Sequence, residues 1–246
     1  MDVYGVEQRL NQIAVILQRP QDAVNVGAIL RAMKNMGISH LRLVQPEPMA
    51  PAAILRVAHH CEDLLDQMTS YPTLAEALAD LHVVIGTAAL RHTGRSQTND
   101  LRHLAQTVAQ RLPQERIGLL FGQEDDGLDQ AALDRCHLLV MIPTNADYPA
   151  LNLAQAVLLL LYEVRMAVLA EVETTVSSTP MAAIADQAAL ERLFHLSETT
   201  LTGIGFLKAK QTVTMRKVRQ MVYKAQLTPE EVALLMAMVR RIERGA

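Results

Sequence analysis

The feature that most narrows what this chain can fold into is a strand, a helix and a second strand within about thirty residues near its start. Ile13–Leu17 is a short apolar run of the kind that forms a buried strand. A turn at Arg19-Pro20-Gln21-Asp22 follows. In Asn25–Gly37, Ile29, Leu30, Met33 and Met36 then recur at helical spacing, and Gly37 supplies the stop. His40–Val44 returns as a strand with Leu41 and Leu43 alternating. This βαβ unit implies a parallel sheet.

The alternation continues. Thr73–Asp80 reads as a helix, His82–Gly86 as a strand, Arg91–Asp100 as a polar loop and Leu101–Arg111 as a helix. Arg116–Phe121 and His137–Ile142 read as two more strands, separated by a short helix at Asp129–Arg135. Leu151–Leu169 is a long helix that closes the pattern. Residues 1–170 are therefore expected to form a doubly wound α/β domain, a parallel sheet with helices on both faces. Glu171–Pro180 is polar and rich in Ser and Thr, which places a linker at 171–186. Gln187–Gly203 and Met215–Ala225 show helical periodicity, and Thr228-Pro229-Glu230-Glu231 opens a last helix with a capping box. Residues 187–246 are thus expected to form a small helical module.

Half of the 246 residues are hydrophobic, enough for a sizeable core. Only 3% are aromatic, which argues against a base-stacking platform. Cys61 and Cys136 lie far apart with no CxxC pair; neither a disulfide framework nor a zinc site is expected, and a reducing cytoplasm fits best. The N-terminus lacks a charged-then-apolar signal pattern. The stretch Leu151–Ala170 is interrupted by Asn152, Gln155, Glu163 and Arg165, so a buried helix is expected there and no membrane span. Adjacent His59, His60 and Cys61 are placed on a helix, pointing different ways, and no metal is expected.

The formal net charge of −3 hides an asymmetry. From Gln187 onward there are 10 Lys+Arg and 5 Asp+Glu, a net of +5 that leaves −8 on the rest. A basic tail on an acidic body suits contact with a polyanion, or equally a solvated helical surface.

Parallel α/β sheets take ligands beyond the C-terminal ends of their strands, so three loops stand out. The first runs from Arg19 to Gly27 into a helix carrying Arg31. Gly27 and Arg31 are one turn apart, which puts the guanidinium over a face with no side chain beneath it. Asn25 can cap the helix or hold a ligand oxygen, and a fixed cation there suits a phosphate or a developing alkoxide. The second is Phe121-Gly122-Gln123-Glu124-Asp125-Asp126-Gly127-Leu128. Here Gly122 admits a close approach to the backbone, Gly127 permits a sharp turn, and Glu124 can accept hydrogen bonds. The third is Ile142–Ala154, where a strand ends in a Pro-bounded loop and a helix begins with Asn152 in its first turn, its free N–H groups open to a polar ligand. Each loop alone also reads as an ordinary capped connection.

Together the three segments, Asn25–Gly37, Leu119–Leu128 and Ile142–Val157, resemble the motif set of the SPOUT methyltransferases, in their TrmH/TrmJ branch. The tail, with Leu190–Phe206 and a basic helix after it, looks like the C-terminal extension of the TrmJ enzymes. This resemblance implies a SPOUT α/β knot, with a C-terminal trefoil knot that is a rare exception to unknotted topology. It implies S-adenosyl-L-methionine (SAM) as cofactor, held at Thr87, Ala88, Ala89, Gly122, Ile142, Ala150, Leu151 and Asn152. It implies a homodimer with the active site shared across the interface, and 2′-O-methylation of cytidine or uridine at position 32 of the tRNA anticodon loop.

Two positions depart from the family's pattern. Ala150 stands where a Ser usually precedes Leu-Asn, and Gln123 where an Arg usually lies between Gly and Glu. The residues expected to carry catalysis are Arg31, Asn25, Glu124 and Asn152. A guanidinium stays protonated under ordinary conditions, so Arg31 is expected to stabilise the developing alkoxide more than to remove a proton. Lys208, Lys210, Arg216, Lys217, Arg219 and Lys224 are expected to grip RNA phosphates. The rivals are a SPOUT enzyme acting on ribosomal RNA and an RNA-binding protein that keeps the fold without catalysis. A dinucleotide-dependent oxidoreductase needs GxGxxG after the first strand, and the chain has only Asn25-Val26-Gly27 there.

Overall fold

The computed structural model describes residues 3–90, 92–174, 183–207 and 211–245. Helix α1 (Val3–Leu10) leads into strand β1 (Ile13–Gln18), all six residues of which are buried. Ile13, Val15 and Leu17 face one apolar layer, while Ala14 and Ile16 face another. Burial on both faces explains why the strand reads as an unbroken apolar run.

The other strands are β2 (His40–Val44), β3 (Thr69–Tyr71), β4 (Val83–Thr87), β5 (Gln97–Thr98), β6 (Ile117–Phe121) and β7 (Leu138–Val140). Every pairing is parallel, in the order β3-β2-β1-β6-β4-β7-β5. Val15 lies opposite Leu41 on one side and Leu119 on the other, and β6, flanked by β1 and β4, is the middle strand.

One face is covered by α1, α2 (Ala23–Met36), α3 (Pro51–Leu55), α4 (Glu62–Gln67), α6 (Leu101–Arg111) and α8 (Leu153–Thr174). Helices α5 (Leu74–Leu78) and α7 (Gln130–Leu133) lie on the other. By length and composition α8 could cross a bilayer, but Val157, Leu160, Leu161, Val164 and Val168 are buried in the core. Leu158, Leu159, Tyr162 and Met166 remain exposed along its outer side.

The tail is a bundle of α9 (Gln187–Gly203), α10 (Gln211–Ala225) and α11 (Pro229–Gly245) around Leu190, Leu193, Phe194, Tyr223 and Val232. It docks on the first domain. Backbone N–H groups of Gln187 and Ala188 donate to the carbonyls of Leu81 (2.7 Å) and Ala79 (3.1 Å). The Tyr223 ring lies 4.1 Å from that of His137. The expected capping box forms, with Glu231 N–H donating to the Thr228 hydroxyl and Thr228 N–H to the Glu231 carboxylate.

The doubly wound parallel sheet matches the sequence reading, with several local differences. The two-residue edge strand β5 lies inside the segment expected as a polar loop, and β3 was not anticipated; neither is long enough to show a period. Helix α8 continues to Thr174, inside the segment read as a linker, and residues 175–182 of that segment lie outside the described residues. His59, His60 and Cys61 occupy a turn between α3 and α4, with His60 at φ 60°, and not a helix. Among the described residues no group of three or more His, Cys, Asp or Glu is placed to hold a metal ion.

Candidate active site

Because the strands are parallel, the loops after β1, β4, β6 and β7 leave from one edge of the sheet. Asp22 caps α2 by accepting from the Val24 N–H at 2.8 Å. Glu124, in the loop after β6, reaches across to this helix start. Its carboxylate accepts from the backbone N–H groups of Gln21 (3.2 Å) and Asp22 (3.3 Å) and from the Asn25 side-chain amide (3.0 Å). A carboxylate can only accept, so Asn25 turns its amide nitrogen to Glu124 and its oxygen away. That oxygen accepts from Nδ2 of Asn152 at 2.9 Å, and Oδ1 of Asn152 accepts from the Ala154 N–H at 2.9 Å, capping α8. One chain of hydrogen bonds therefore joins the three segments singled out in the sequence.

The loop after β6 is tight. Gly127 has φ +67°, and a Cβ on Gly122 would collide with the Gly127 carbonyl. The Gly127 N–H donates to the Gln123 carbonyl at 3.0 Å, and the Gln123 side chain donates to Asp126 at 2.7 Å. The fold-back of its own loop therefore requires a glycine at 122, in addition to any close approach of a ligand.

Beside this network is a cavity of about 350 Å³, walled by Thr87, Ala88 and Ala89 after β4, Gly122 after β6, and Ile142, Ala150 and Leu151 after β7. These are seven of the eight positions implied for the cofactor. The eighth, Asn152, turns its side chain onto Asn25. Leu90, His92 and Pro149 also line the cavity and carry no motif that would have marked them. Small residues at the strand ends share the wall with apolar side chains such as Phe121, Leu128 and Leu153 and with the acidic Glu124 and Asp125, and the volume falls in the usual range for a small-molecule site. A more open groove of about 460 Å³, including Asp100, Arg102, Pro143 and Leu159, shares Ile142 with it.

Arg31 is exposed on α2 and is not on the cavity wall. Its charge reaches Cys61, whose thiol burial pushes above its ordinary value against the opposing charges of Lys34 and Arg31. The space over Gly27 is filled, since a Cβ there would lie 2.5 Å from the Ile54 carbonyl oxygen. Gly27 therefore lets α3 pack closely, which corrects the idea of an empty face beneath Arg31.

Of the tail's cations, Lys217 and Lys224 are exposed, and Lys208 and Lys210 lie outside the described residues. Arg216 pairs with Asp134 at 3.0 Å. Arg219 makes a two-pronged pair with Glu191 (2.6 and 3.0 Å) and stacks 4.4 Å over the Phe194 ring. Both arginines are thus committed inside the fold.

The signature of the SpoU rRNA Methylase family matches residues 12–162. The tRNA (cytidine/uridine-2'-O-)-methyltransferase TrmJ of Sodalis glossinidius is 33% identical over 237 residues, covering 95% of this chain and 92% of that protein. The TrmJ of Salmonella typhimurium is 32% identical over 240 residues, covering 96% and 98%. Among solved structures, TrmJ from Z. mobilis superposes with a TM-score of 0.80 at 29% identity, over 94% of this chain and 98% of that one. With these matches and the linked motif loops, the chain belongs to the SpoU methylase family.

Proposed function

We propose that the chain is a SAM-dependent methyltransferase acting on the ribose 2′-hydroxyl of tRNA, at cytidine or uridine 32 of the anticodon loop. The observation that carries this reading is the Glu124–Asn25–Asn152 chain at the strand ends, with Glu124 itself on the wall of the cavity there. The TrmJ relatives, matched along nearly their whole length, supply the substrate class.

In this reading the backbone of Thr87–Ala89, Gly122, Ile142 and Ala150–Leu151 holds the cofactor, which supplies a methyl group on a sulfonium. The hydrogen-bond chain fixes the three loops relative to one another before substrate arrives. The Arg31 guanidinium stabilises the developing alkoxide and the neighbouring phosphate. Arg31 is off the cavity wall of its own chain, which suits an active site completed by a second copy. The exposed strip Leu158, Leu159, Tyr162 and Met166 on α8 gives a homodimer an apolar face to bury. The C-terminal loop and helix of the first domain pass through a trefoil knot. Residues 1–170 form the methyltransferase domain, 171–186 the linker and 187–246 the RNA-gripping extension. That grip falls to Lys217 and Lys224, with Lys208 and Lys210, in the cytoplasm and with no metal.

The test is methylation of unmodified tRNA with labelled SAM, the modified nucleotide being mapped by mass spectrometry. A 2′-O-methyl group at nucleotide 32 is expected. Transfer to ribosomal RNA alone would favour the substrate in the family's description, and no SAM binding would overturn the enzyme reading.

A further inference from the structure

The residues after β4 that wall the cavity, Thr87–Leu90 and His92, are tied down on both sides. At their start, the Ala88 N–H donates to the Val140 carbonyl at 3.0 Å. Beyond their far end, Arg95, with only 3% of its side chain exposed, donates to Asp134 at 2.7 Å, and the Ser96 carbonyl accepts from the Leu139 N–H at 2.9 Å. The Ser96 N–H finds its acceptor outside the first domain, donating to Oε1 of Gln220 on α10 at 3.2 Å. Gln220 is itself 9% exposed. One turn earlier on α10, Arg216 donates to the same Asp134 oxygen that holds Arg95. The helix expected to meet RNA is therefore bonded to Ser96, four residues beyond the last residue of the segment that lines the cavity.

We propose that Gln220 is a positioning residue for the methyl-donor site, its amide oxygen holding Ser96 and hence the cavity residues Thr87–Leu90 and His92 in the geometry that binds SAM. The physical basis is preorganisation. A loop already held in its bound shape loses less freedom on binding, and so binds more tightly. Arg216 sets α10 at the distance this contact requires. The tail then does two things, since Lys217 and Lys224 are exposed while Gln220 braces, through Ser96, the segment that lines the cavity. Removing the tail should weaken SAM binding as well as RNA binding. The inference rests on the reading of the cavity as a SAM site.

The test is isothermal titration of the full-length protein with SAM, with amide hydrogen exchange measured on the same samples. Gln220→Leu removes the acceptor and should weaken SAM binding by about fivefold, the worth of one buried hydrogen bond, with faster exchange across residues 87–96. Gln220→Glu keeps an acceptor oxygen for the Ser96 N–H and should bind within about twofold of the wild type. Should Gln220→Leu fail to fold, Arg216→Gln carries the same expectation by loosening α10 from Asp134. Wild-type affinity in Gln220→Leu, or equal losses in the Leu and Glu variants, would overturn this inference alone. A wild-type protein that binds no SAM would overturn the cavity assignment as well.

Discussion

The side-chain amide of Asn25 donates to the carboxylate of Glu124 across 3.0 Å, joining positions 99 residues apart. Glu124 also gathers two backbone N–H groups from the turn before α2, so this one contact sets the loop after β6 against the loop after β1. Glu124→Ala should slow single-turnover methyl transfer about tenfold or more. Combined with Asn25→Ala, it should show non-additivity of about 1 kcal/mol in a double-mutant cycle. Strict additivity would mean that the two residues act independently.

Arg31 stands clear of the cavity wall. Arg31→Ala should therefore lower the transfer rate about a hundredfold while leaving SAM affinity within about twofold, the pattern of a group used only in the transition state. Comparable losses in rate and affinity would place Arg31 in cofactor binding.

Two glycine substitutions should behave differently. A Cβ on Gly122 meets the backbone of Gly127, whereas one on Gly94 meets nothing within 4 Å. Gly122→Ala should abolish SAM binding and lower the melting temperature sharply. Gly94→Ala, limited to the strain of φ +76°, should cost about 1 kcal/mol in a denaturant titration.

Salt dependence should sort the tail's cations. Lys217→Ala and Lys224→Ala should each reduce the slope of log Kd for tRNA against log salt by about one, with the melting temperature unchanged. Arg219→Ala should instead lower the melting temperature, because it leaves Glu191 without its two-pronged partner.

Stability should fall on mild acidification. Burial pushes His137 down to about 3, while its Nδ1 accepts from the Val84 N–H at 3.1 Å. The unfolded chain takes up this proton near the ordinary value of about 6.5, and the folded chain does not. His137 therefore contributes stability that is whole above about pH 6.5 and declines as pH falls, by at most about 1.4 kcal/mol per unit. His40, lowered by burial and by the Arg42 charge, adds to the trend. Denaturant titrations from pH 7 to pH 5 should show the decline, and His137→Leu should flatten it.

What was legible in the sequence was whatever repeats or is capped. The apolar run at Ile13–Leu17, the spacing of Ile29, Leu30, Met33 and Met36, and the Thr228–Glu231 box all appear as elements. Seven cavity positions followed from the motif resemblance. Contacts between distant side chains were not legible. Nothing in the letters Arg216 and Arg219 distinguishes them from Lys217, although helix geometry turns the first two toward Asp134 and Glu191. The link between Gln220 and Ser96 spans 124 positions and has no local signature. Gly27 and Gly122 were recognised as special, but the backbone that crowds each of them is their own chain.

The pairing of β1 with β6 has a consequence during protein synthesis. Ribosomes deliver Gln18 roughly a hundred residues before Phe121, an interval of about 5–20 s at ordinary elongation rates. Throughout it, one edge of β1 has no neighbour, and its backbone N–H and C=O groups on that side await the strand that will pair with them. The bond from Asn152 to Asn25, 127 positions back, is later still. A nascent chain of this protein therefore passes through a period as a half-sheet with one open, aggregation-prone edge, when a chaperone has most to offer it.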